Sequence, residues 1–262
     1  MKIEVILTPA ELPALKQRDL SAAACVVFDV LRATSSFATA LQNGAKAIIP
    51  VSEISEALAM RQKQPDVLLG GERNGVKIRA ELTGGVDFDF GNSPREYKPE
   101  KVHGKTIVST TTNGTRALRA CAGANTVLAA SFLNLTTTAQ FLRKLSPAQI
   151  VLVCAGTHEN TALEDVLAAG ALCEMLAGSS CCDDRTAQRA VPAQFSDSTE
   201  IAWRAYTQAK ADLAATVRTS ENARRLLAIP ELRDDVPFCL QHDRFPLVVT
   251  RTGDGTTFIS VS

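Results

Sequence analysis

Residues 24–51 read ACVVFDVLRATSSFATALQNGAKAIIPV, with two short apolar, β-branched runs on either side of a longer helix-forming segment. The runs ACVVFDV and AKAIIPV predict strands. The segment TSSFATALQNG predicts a helix that Thr34 or Ser35 begins and Gly44 ends. A strand, a helix and a second strand at this spacing predict a right-handed βαβ unit with two parallel strands.

The same alternation continues as far as residue 178. Strands are predicted in IEVILT, DVLLGGER, KTIVST, NTVLAAS and QIVLVCAG, of which DVLLGGER runs into a loop. Helices are predicted in SEISEALAMRQKQ, TRALRACAG, NLTTTAQFLRKL and TALEDVLAAGALCEML. Ser52 is expected to begin the first of these helices, and Gly123 to end the second. The pattern predicts an α/β fold with a mostly parallel sheet and flanking helices in βαβ units.

The pattern changes after Gly178. Residues 178–198 are small and polar and predict a loop, residues 198–220 predict one long amphipathic helix, and SENARRLLAI predicts a second helix that Ser220 begins. The tail predicts three short, partly antiparallel strands in VPFCLQ, FPLVVTR and TTFISVS. Residues 252–255 read TGDG and predict a hairpin between the last two strands.

The length and composition set the expected domain organisation and partners. The 262 residues suit one large or two small domains. We expect a main α/β domain with the active site over residues 1–180. The C-terminal helices and strands over residues 181–262 would pack on that domain or form a small subdomain. The formal net charge is zero, which argues against a nucleic-acid partner. The long helix at 199–218 suits either a homo-oligomer interface or a buried core face.

The cysteines and the N-terminus indicate a reducing, cytoplasmic setting. The seven cysteines are an odd number, and several lie inside apolar runs, where thiols behave as small hydrophobic groups. Cys181 and Cys182 are adjacent and lack the CxxC spacing of a zinc site. MKIEVILTPAEL lacks the apolar core of a signal peptide, and no apolar stretch is long enough to span a bilayer, so we expect no membrane partner.

Small polar residues gather where the predicted strands end, which is where ligands bind in open parallel sheets. Residues 108–118 read VSTTTNGTRAL. They combine the unpaired N–H groups at the start of a predicted helix with several hydroxyl groups, a combination that can bind a phosphate or sulfonate. An ordinary helix cap would explain one such corner alone. Neither GxxxxGK[ST] nor GxGxxG occurs, so a P-loop or dinucleotide site has no support. Further candidates at such corners, and in the turn-like stretch FDFGNSPREY, are Thr34, Ser35, Asn92, Ser93, Ser131 and Asn134.

Two acid–arginine pairs follow strands. Asp29 ends a strongly apolar strand, where a carboxylate is costly unless a cation pairs with it. Arg32 is one candidate partner, and the alternative is that Asp29 is a magnesium ligand or a nucleophile. Glu72 and Arg73 repeat the combination at a second strand end. A guanidinium group suits bidentate contact with phosphate or sulfonate.

Other candidates have simpler explanations beside the functional ones. Glu164 and Asp165 lie in the first turn of a predicted helix, where the helix dipole alone favours acids, but they would also complete a hard-cation site. His158 is close to the last corner and could act as an acid, although an exposed loop position is favoured. Cys154 is expected in the core, because a Cys-x5-Arg cradle would need arginine where Asn160 stands.

Six stretches, in this order, resemble the 2-phosphosulfolactate phosphatase family: FDVLRATSSFATALQNGA, GGERNGVKI, DFGNSPREY, TTTNGTRAL, SFLNLTTTA and CAGTHENTALEDVLAAG. The resemblance covers residues 24–176 and continues more faintly through CLQHDRFPLVV. It implies a magnesium-dependent acid phosphatase that converts 2-phospho-3-sulfolactate to 3-sulfolactate and phosphate, with a place in coenzyme M biosynthesis. Composition and periodicity alone indicate only an α/β protein that binds a small anion.

The resemblance also implies roles for the candidate residues. The catalytic group would be Asp29, Arg32, Glu72 and Arg73. The Mg²⁺ ligands would be Asp29, Glu72, Glu164 and Asp165. The substrate, a small phosphorylated anion, would be bound by Thr34, Ser35, Asn92, Ser93, Thr111, Thr112, Asn113, Gly114, Thr115, Ser131 and Asn134.

The mechanism and the substrate each have alternatives. A metal-activated water with an acidic residue as base is favoured over covalent attack by Asp29, because a DxD signature would need an acid where Leu31 stands. Two other functions stay open. One is a phosphatase for an unsulfonated phospho-hydroxy acid, and the other is a non-catalytic binding protein for small phosphorylated or sulfonated anions.

Overall fold

The structure is a computed structural model that describes residues 1–178 and 193–261, and it has the predicted α/β architecture. Within these residues, one sheet contains β1 (Lys2–Ile6), β2 (Ala23–Phe28), β3 (Ala47–Pro50), β4 (Leu68–Arg73), β5 (Val76–Lys77), β6 (Thr106–Thr110), β7 (Thr126–Ala130), β8 (Gln149–Cys154), β9 (Gln194–Phe195), β10 (Val248–Arg251) and β11 (Phe258–Val261). The helices are α1 (Leu12–Leu15), α2 (Ala33–Gln42), α3 (Ile54–Lys63), α4 (Ala80–Thr83), α5 (Pro99–Val102), α6 (Gly114–Ala120), α7 (Leu135–Leu145), α8 (Leu163–Ala177), α9 (Asp197–Ala209), α10 (Leu213–Arg218), α11 (Glu221–Leu227) and α12 (Asp235–Cys239).

The sheet consists of two parallel blocks joined by an antiparallel hairpin. Its strand order is β5-β4-β6-β3-β11-β10-β7-β2-β8-β1-β9. β4, β6 and β3 are mutually parallel, as are β7, β2, β8, β1 and β9. β10 and β11 form an antiparallel pair. β10 also pairs antiparallel with β7, and β11 with β3. The strands from the two sides of residue 180 therefore share one sheet.

Strand β2 lies inside this sheet, between β7 and β8, and this position explains its apolar sequence. All six of its residues are buried. Val26 and Phe28 belong to the core under α7, α8 and α9, whereas Cys25 and Val27 belong to the core that contains α2 and α6. A strand covered on both faces has an uninterrupted apolar run rather than alternation.

The segments that follow β2 and β6 meet beside α2, although the two strands are far apart in the sheet. Five strand-to-strand steps separate β2 from β6, which would place them roughly 24 Å apart in a flat sheet. A Cβ atom added at Gly114, just after β6, would nevertheless lie 2.6 Å from Asp29 Oδ2 and 2.8 Å from Ala33 Cβ. Helix α2, almost wholly buried, begins just after Asp29 and packs on β7, β10, β11 and β3, so it spans the region between the two blocks.

Several predicted helix ends are displaced. Helix α2 begins at Ala33 and its N-cap is Arg32, so neither Thr34 nor Ser35 caps it. Helix α3 is capped at Glu53 rather than Ser52. Helix α6 ends at Ala120, before Gly123. These segments contain several residues with similar capping ability, and tertiary contacts decide which of them the helix uses.

The C-terminal predictions are partly wrong. The long helix is interrupted by a 3₁₀ turn at Lys210–Asp212, where the Asp212 side chain caps α10. The VPFCLQ segment forms α12 instead of a strand, because its proline fits the first turn of a helix and Val236 and Cys239 bury one helical face. The Ser220 cap and the hairpin between β10 and β11 are confirmed.

The remaining expectations concern cysteines and membrane spans. The described cysteines, Cys25, Cys121, Cys154, Cys173 and Cys239, are buried and unpaired by disulfides. Cys181 and Cys182 lie outside the described residues, as does most of the predicted 178–198 loop. Among the helices of the described ranges, none has the length and apolar character needed to cross a bilayer.

Helices α8 and α9 pack closely at Gly170, and the contact allows a test of the fold. A Cβ atom there would overlap the Ala202 carbonyl oxygen and approach its carbon to 2.7 Å. Because backbone atoms cannot move aside easily, Gly170→Ala is expected to lower the free energy of unfolding by about 1–3 kcal/mol in urea denaturation. Gly123→Ala, where a Cβ meets open space, is the control. Equal effects of the two changes would contradict this packing.

Candidate functional site

A polar cavity lies where the strand ends of the two blocks meet. It contains about 390 Å³ of empty space, open solvent included. The predicted site residues that line it are Asp29, Arg32, Glu72, Asn92, Thr112 and Asn113. They follow β2, end β4, follow β6 or belong to the segment before α5, so residues distant in sequence converge on one cavity.

Asp29 is the buried carboxylate at the centre of the site. Its Oδ1 atom accepts a hydrogen bond from the Ala33 N–H at 3.0 Å, and only 8% of the residue is exposed. Burial, followed by the negative charges of Glu72 and Glu164, raises the pKa of Asp29 to about 6. Because Asp29 is buried beside Glu72 and Glu164, its ionised form is unfavourable in the free protein, and a bound cation would stabilise it.

Glu72 holds two loops against the cavity. Its Oε1 atom accepts a hydrogen bond from the Thr112 N–H at 2.8 Å, and its Oε2 atom accepts one from the Gly75 N–H at 2.6 Å. Asn74 and Gly75 form the tight turn between β4 and β5, both with positive φ. This Asn-Gly hairpin signal stands in the sequence and would have predicted the turn where a loop was expected.

Arg32 does not pair with Asp29, so that prediction is wrong. Its guanidinium donates to Asp235 Oδ2 at 2.8 Å and to the Gly75 carbonyl oxygen at 2.7 Å. Ser93, a predicted substrate ligand, donates its hydroxyl to Asp235 Oδ1 at 2.6 Å. Arg32 and Asp235 are 3% and 0% exposed, so they form a buried ion pair beside the cavity.

Arg73 stands behind the cavity and does not line it. Its guanidinium donates to the carbonyl oxygens of Glu72 and Ser52 and to the Thr110 hydroxyl, at 2.7, 3.2 and 2.9 Å. These contacts tie the end of β4 to the end of β6. Arg73 therefore stabilises the strand ends, and it makes no contact with the cavity that would support its predicted catalytic role.

The segment after β6 divides between structural and cavity-facing residues. Thr111 and Thr115 bond to each other, since each backbone N–H donates to the hydroxyl of the other at 3.2–3.3 Å. Thr112 and Asn113 line the cavity. Gly114 begins α6, and its missing side chain leaves room for the Asp29 carboxylate.

Three residues that line the cavity carry buried polar atoms without a hydrogen-bond partner in the described structure. These atoms are Asn92 Oδ1, Thr112 Oγ1 and Arg225 Nε. Buried polar groups are nearly always hydrogen-bonded, so unpartnered ones that share a cavity indicate a ligand that completes them. The set includes both oxygen acceptors and an N–H donor, which suits an anion bound together with a cation.

Glu164 and Asp165 are close to the cavity but do not line it. Asp165 accepts hydrogen bonds from the N–H groups of Val30 at 2.8 Å and Gly156 at 3.0 Å, and so ties the ends of β2 and β8 together. Burial, followed by the charges of Glu164 and Asp29, raises the pKa of Asp165 well above its usual range. Glu164 Oε1 accepts from the Asn222 amide at 2.7 Å.

The four predicted metal ligands do not form one cluster. Within residues 1–178 and 193–261, no group of three or more His, Cys, Asp or Glu side chains is placed to hold a metal ion. Asp29 and Glu72 remain as two carboxylates on the cavity wall. Two carboxylates suit magnesium, which commonly takes one or two protein carboxylates and completes its shell with substrate phosphate and water.

The other predicted substrate ligands support the backbone. Thr34 accepts a hydrogen bond from the Asp29 N–H at 3.0 Å, and Ser35 donates to the Val30 carbonyl oxygen at 2.8 Å. Ser131 and Asn134 form a capping box on the 3₁₀ turn after β7. These four residues do not line the cavity; they hold the strand ends that shape it.

Sequence reasoning missed the contribution of the C-terminal helices and undervalued one histidine. Arg225 on α11 lines the cavity, and Asp235 on α12 anchors Arg32. Asn222, also on α11, donates to Thr157 Oγ1 at 2.6 Å and to Glu164. His158 is exposed, as expected for a loop, yet it lines the cavity and its N–H donates to the Asn113 side chain at 3.2 Å.

Comparison with known proteins agrees with the resemblance seen in the sequence. The model of the 2-phosphosulpholactate phosphatase family matches residues 6–254. A probable 2-phosphosulfolactate phosphatase from Caldanaerobacter subterraneus subsp. tengcongensis is 38% identical over 237 residues, which cover 90% of each chain. Proteins of the same name from Thermotoga petrophila and Clostridium acetobutylicum are 40% and 33% identical, covering 86% and 95% of this chain and 87% and 96% of theirs. The chain therefore belongs to the 2-phosphosulfolactate phosphatase family.

Proposed function

We propose that this chain hydrolyses 2-phospho-3-sulfolactate to 3-sulfolactate and phosphate, and that it requires Mg²⁺ to do so. Its family is one of phosphatases, which cleave a phosphoric monoester. The observation that carries the proposal is the convergence of Asp29, Glu72, Asn92 and Thr112 on one polar cavity.

The residues present fit a magnesium ion. Asp29 and Glu72 would hold it, because their carboxylates face the cavity and share its negative charge. When bound, the ion supplies positive charge that offsets the phosphoryl oxygens. The unpartnered amide oxygen of Asn92 and hydroxyl of Thr112 supply further oxygen contacts. Glu72 also fixes the position of Thr112 through its backbone N–H.

The chain's own groups then account for the proton transfers. A water attacks phosphorus in line with the leaving alkoxide oxygen, and a cavity carboxylate takes the proton that this water loses. His158 lines the same cavity and would donate a proton to the leaving oxygen. The water route remains favoured over attack by Asp29, as the absence of a DxD signature indicates.

The experiment is a phosphate-release assay with the full chain and 2-phospho-3-sulfolactate. After treatment with EDTA, we expect turnover to fall to background, and addition of Mg²⁺ to restore it. Ca²⁺ at the same concentration should restore less, because its larger, more flexible coordination shell fits a two-carboxylate site poorly. Full activity in EDTA would overturn the magnesium requirement. A lack of phosphate release under every condition would instead favour a binding protein.

His158 provides a separate prediction. His158→Ala is expected to lower kcat by about 10²-fold for 2-phospho-3-sulfolactate, because an alkoxide leaves poorly without a proton. The loss should be much smaller for p-nitrophenyl phosphate, since nitrophenolate needs no proton to leave. Steady-state kinetics on both substrates, with the surface variant His103→Ala as control, measures the difference. Equal losses on the two substrates would argue against proton donation by His158.

A further inference from the structure

The guanidinium group of Arg225 lies on the cavity wall, and the proposed hydrolysis mechanism does not use it. We propose that Arg225 binds the anionic group, sulfonate or carboxylate, that the substrate carries beside its phosphate ester, and that it thereby determines substrate selectivity. The inference rests on the proposed function and names the residue that would recognise the part of the substrate that does not react.

Arg225 differs from the other arginines near the site in having an unpartnered donor. Arg32 donates to Asp235 and to the Gly75 carbonyl oxygen, and its charge is offset by Asp235. Arg73 donates to carbonyl oxygens behind the cavity. Arg225 Nε is buried and has no partner in the described structure. A buried N–H donor on a cavity wall gains a hydrogen bond only when a ligand supplies the acceptor.

A chain of hydrogen bonds fixes the Arg225 side chain. Its Nη2 atom donates to Asn222 Oδ1 at 2.9 Å, and the Asn222 amide in turn donates to Glu164 Oε1 at 2.7 Å and to Thr157 Oγ1 at 2.6 Å. The amide of Asn222 can be oriented in only one way by these acceptors. Glu164, predicted as a metal ligand, therefore acts here by positioning Asn222 and, through it, Arg225.

The hairpin tip holds the other side of this guanidinium. A Cβ atom at Gly75 would lie 3.6 Å from Arg225 Cζ and 3.7 Å from its Nε, so the group lies against the turn between β4 and β5. Glu72, whose carboxylate faces the cavity, accepts a hydrogen bond from the N–H of the same Gly75. Arg225 and Glu72 thus contact the same turn at the cavity.

The charges of the cavity make this assignment specific. The substrate carries phosphate, carboxylate and sulfonate on three neighbouring carbons. Asp29 and Glu72 are negative and would be offset by the metal ion, and the positive charge of Arg32 is offset by the buried Asp235. The charge of Arg225 is then free for a second anionic group, and a guanidinium matches the oxygens of carboxylate or sulfonate with paired donors.

The test compares three substrates. They are 2-phospho-3-sulfolactate, 2-phospholactate, which lacks the sulfonate, and 2-(phosphonooxy)ethanesulfonate, which lacks the carboxylate. Arg225→Met is expected to lower kcat/KM about 10–100-fold for the full substrate and for the analogue that retains the contacted group. The analogue that lacks this group should change less than about twofold, and its identity tells sulfonate from carboxylate. Equal losses on all three substrates, or no loss, would overturn the proposal.

Further variants separate recognition from folding. Arg224→Met, at the exposed neighbouring position on α11, is expected to leave all three values unchanged. Asn222→Ala should reproduce the selectivity of Arg225→Met to a smaller extent, and Arg225→Lys should retain part of the preference. Thermal unfolding checks each variant.

A binding measurement keeps the inference testable even without turnover. By calorimetry, Arg225→Met should bind 3-sulfolactate about 10–100-fold more weakly than the unchanged chain, with inorganic phosphate binding unaffected. Unchanged affinity for 3-sulfolactate would overturn the inference. Absence of turnover by the unchanged chain, with this weakening still present, would instead count against the proposed function.

Discussion

Replacement of Asp29 by asparagine is expected to lower kcat/KM for phosphate release by at least about 10³-fold. The change removes a carboxylate that would hold the metal ion and can accept the proton of the attacking water. It leaves the local backbone intact, because the asparagine oxygen can still accept the hydrogen bond that the Ala33 N–H donates. Steady-state kinetics at saturating Mg²⁺ measures the loss, and Asp66→Asn, on the exposed surface, is the matched control.

The stability of the same variant distinguishes a functional acid from a structural one. Burial and neighbouring charges raise the folded-state pKa of Asp29 to about 6, above its ordinary value of 3.8. Folding thus favours the protonated form, and the stability that this preference contributes is lost as pH rises from about 4 through about 6. Without divalent cations at pH 8, Asp29→Asn should therefore be at least as stable as the unchanged chain. A marked loss of stability would mean that Asp29 maintains the fold, and unchanged activity would remove it from the site.

Replacement of Asp235 by asparagine is expected to have the largest effect on stability, about 3–5 kcal/mol. Asp235 and Arg32 are 0% and 3% exposed, so the variant would leave the Arg32 charge buried without a counterion. The single amide oxygen of the asparagine can accept from Arg32 or from Ser93, but not in the geometry that both now share. Because Arg32 supports the Gly75 turn at the cavity, kcat/KM should fall as well. Urea denaturation and phosphate release measure the two effects.

Two further variants make this prediction specific. Glu200→Gln breaks a surface ion pair with Arg204, and its cost should be below about 1 kcal/mol. The double change Arg32→Met with Asp235→Leu should recover much of the stability, since an apolar pair can replace a buried ion pair, but should not recover activity. A cost for Asp235→Asn no larger than that of Glu200→Gln would contradict the buried pair.

The sequence predicted the parts of the site that follow strands. Asp29, Glu72 and Asn113 were expected near one another because polar residues follow several predicted strands, and they share the cavity. The strand topology that brings them together was not predicted. Parallel strands alone would collect these residues on one edge, whereas here an antiparallel hairpin separates two oppositely directed blocks.

The structure departs from the sequence-based expectations at residues whose neighbours come from distant segments. Acids at the start of a helix suit a metal or a backbone N–H equally well, and Asp165 turned out to bond to the N–H groups of Val30 and Gly156. The contribution of Asp235 was missed because the residues after it were predicted as a strand, whereas they form α12. Arg225 follows no strand at all, and only the packing of α11 brings it to the cavity. Local pattern carries no information about such encounters.

The most direct test of the central claim is a crystal structure with Mn²⁺, in place of Mg²⁺, and phosphate. We expect one anomalous scattering peak within about 2–2.3 Å of carboxylate oxygens of both Asp29 and Glu72, with a phosphate oxygen in the same coordination shell. Density for the phosphate should lie against Asn92 and Thr112. A metal ion held by other residues, or a phosphate bound away from this cavity, would contradict the account.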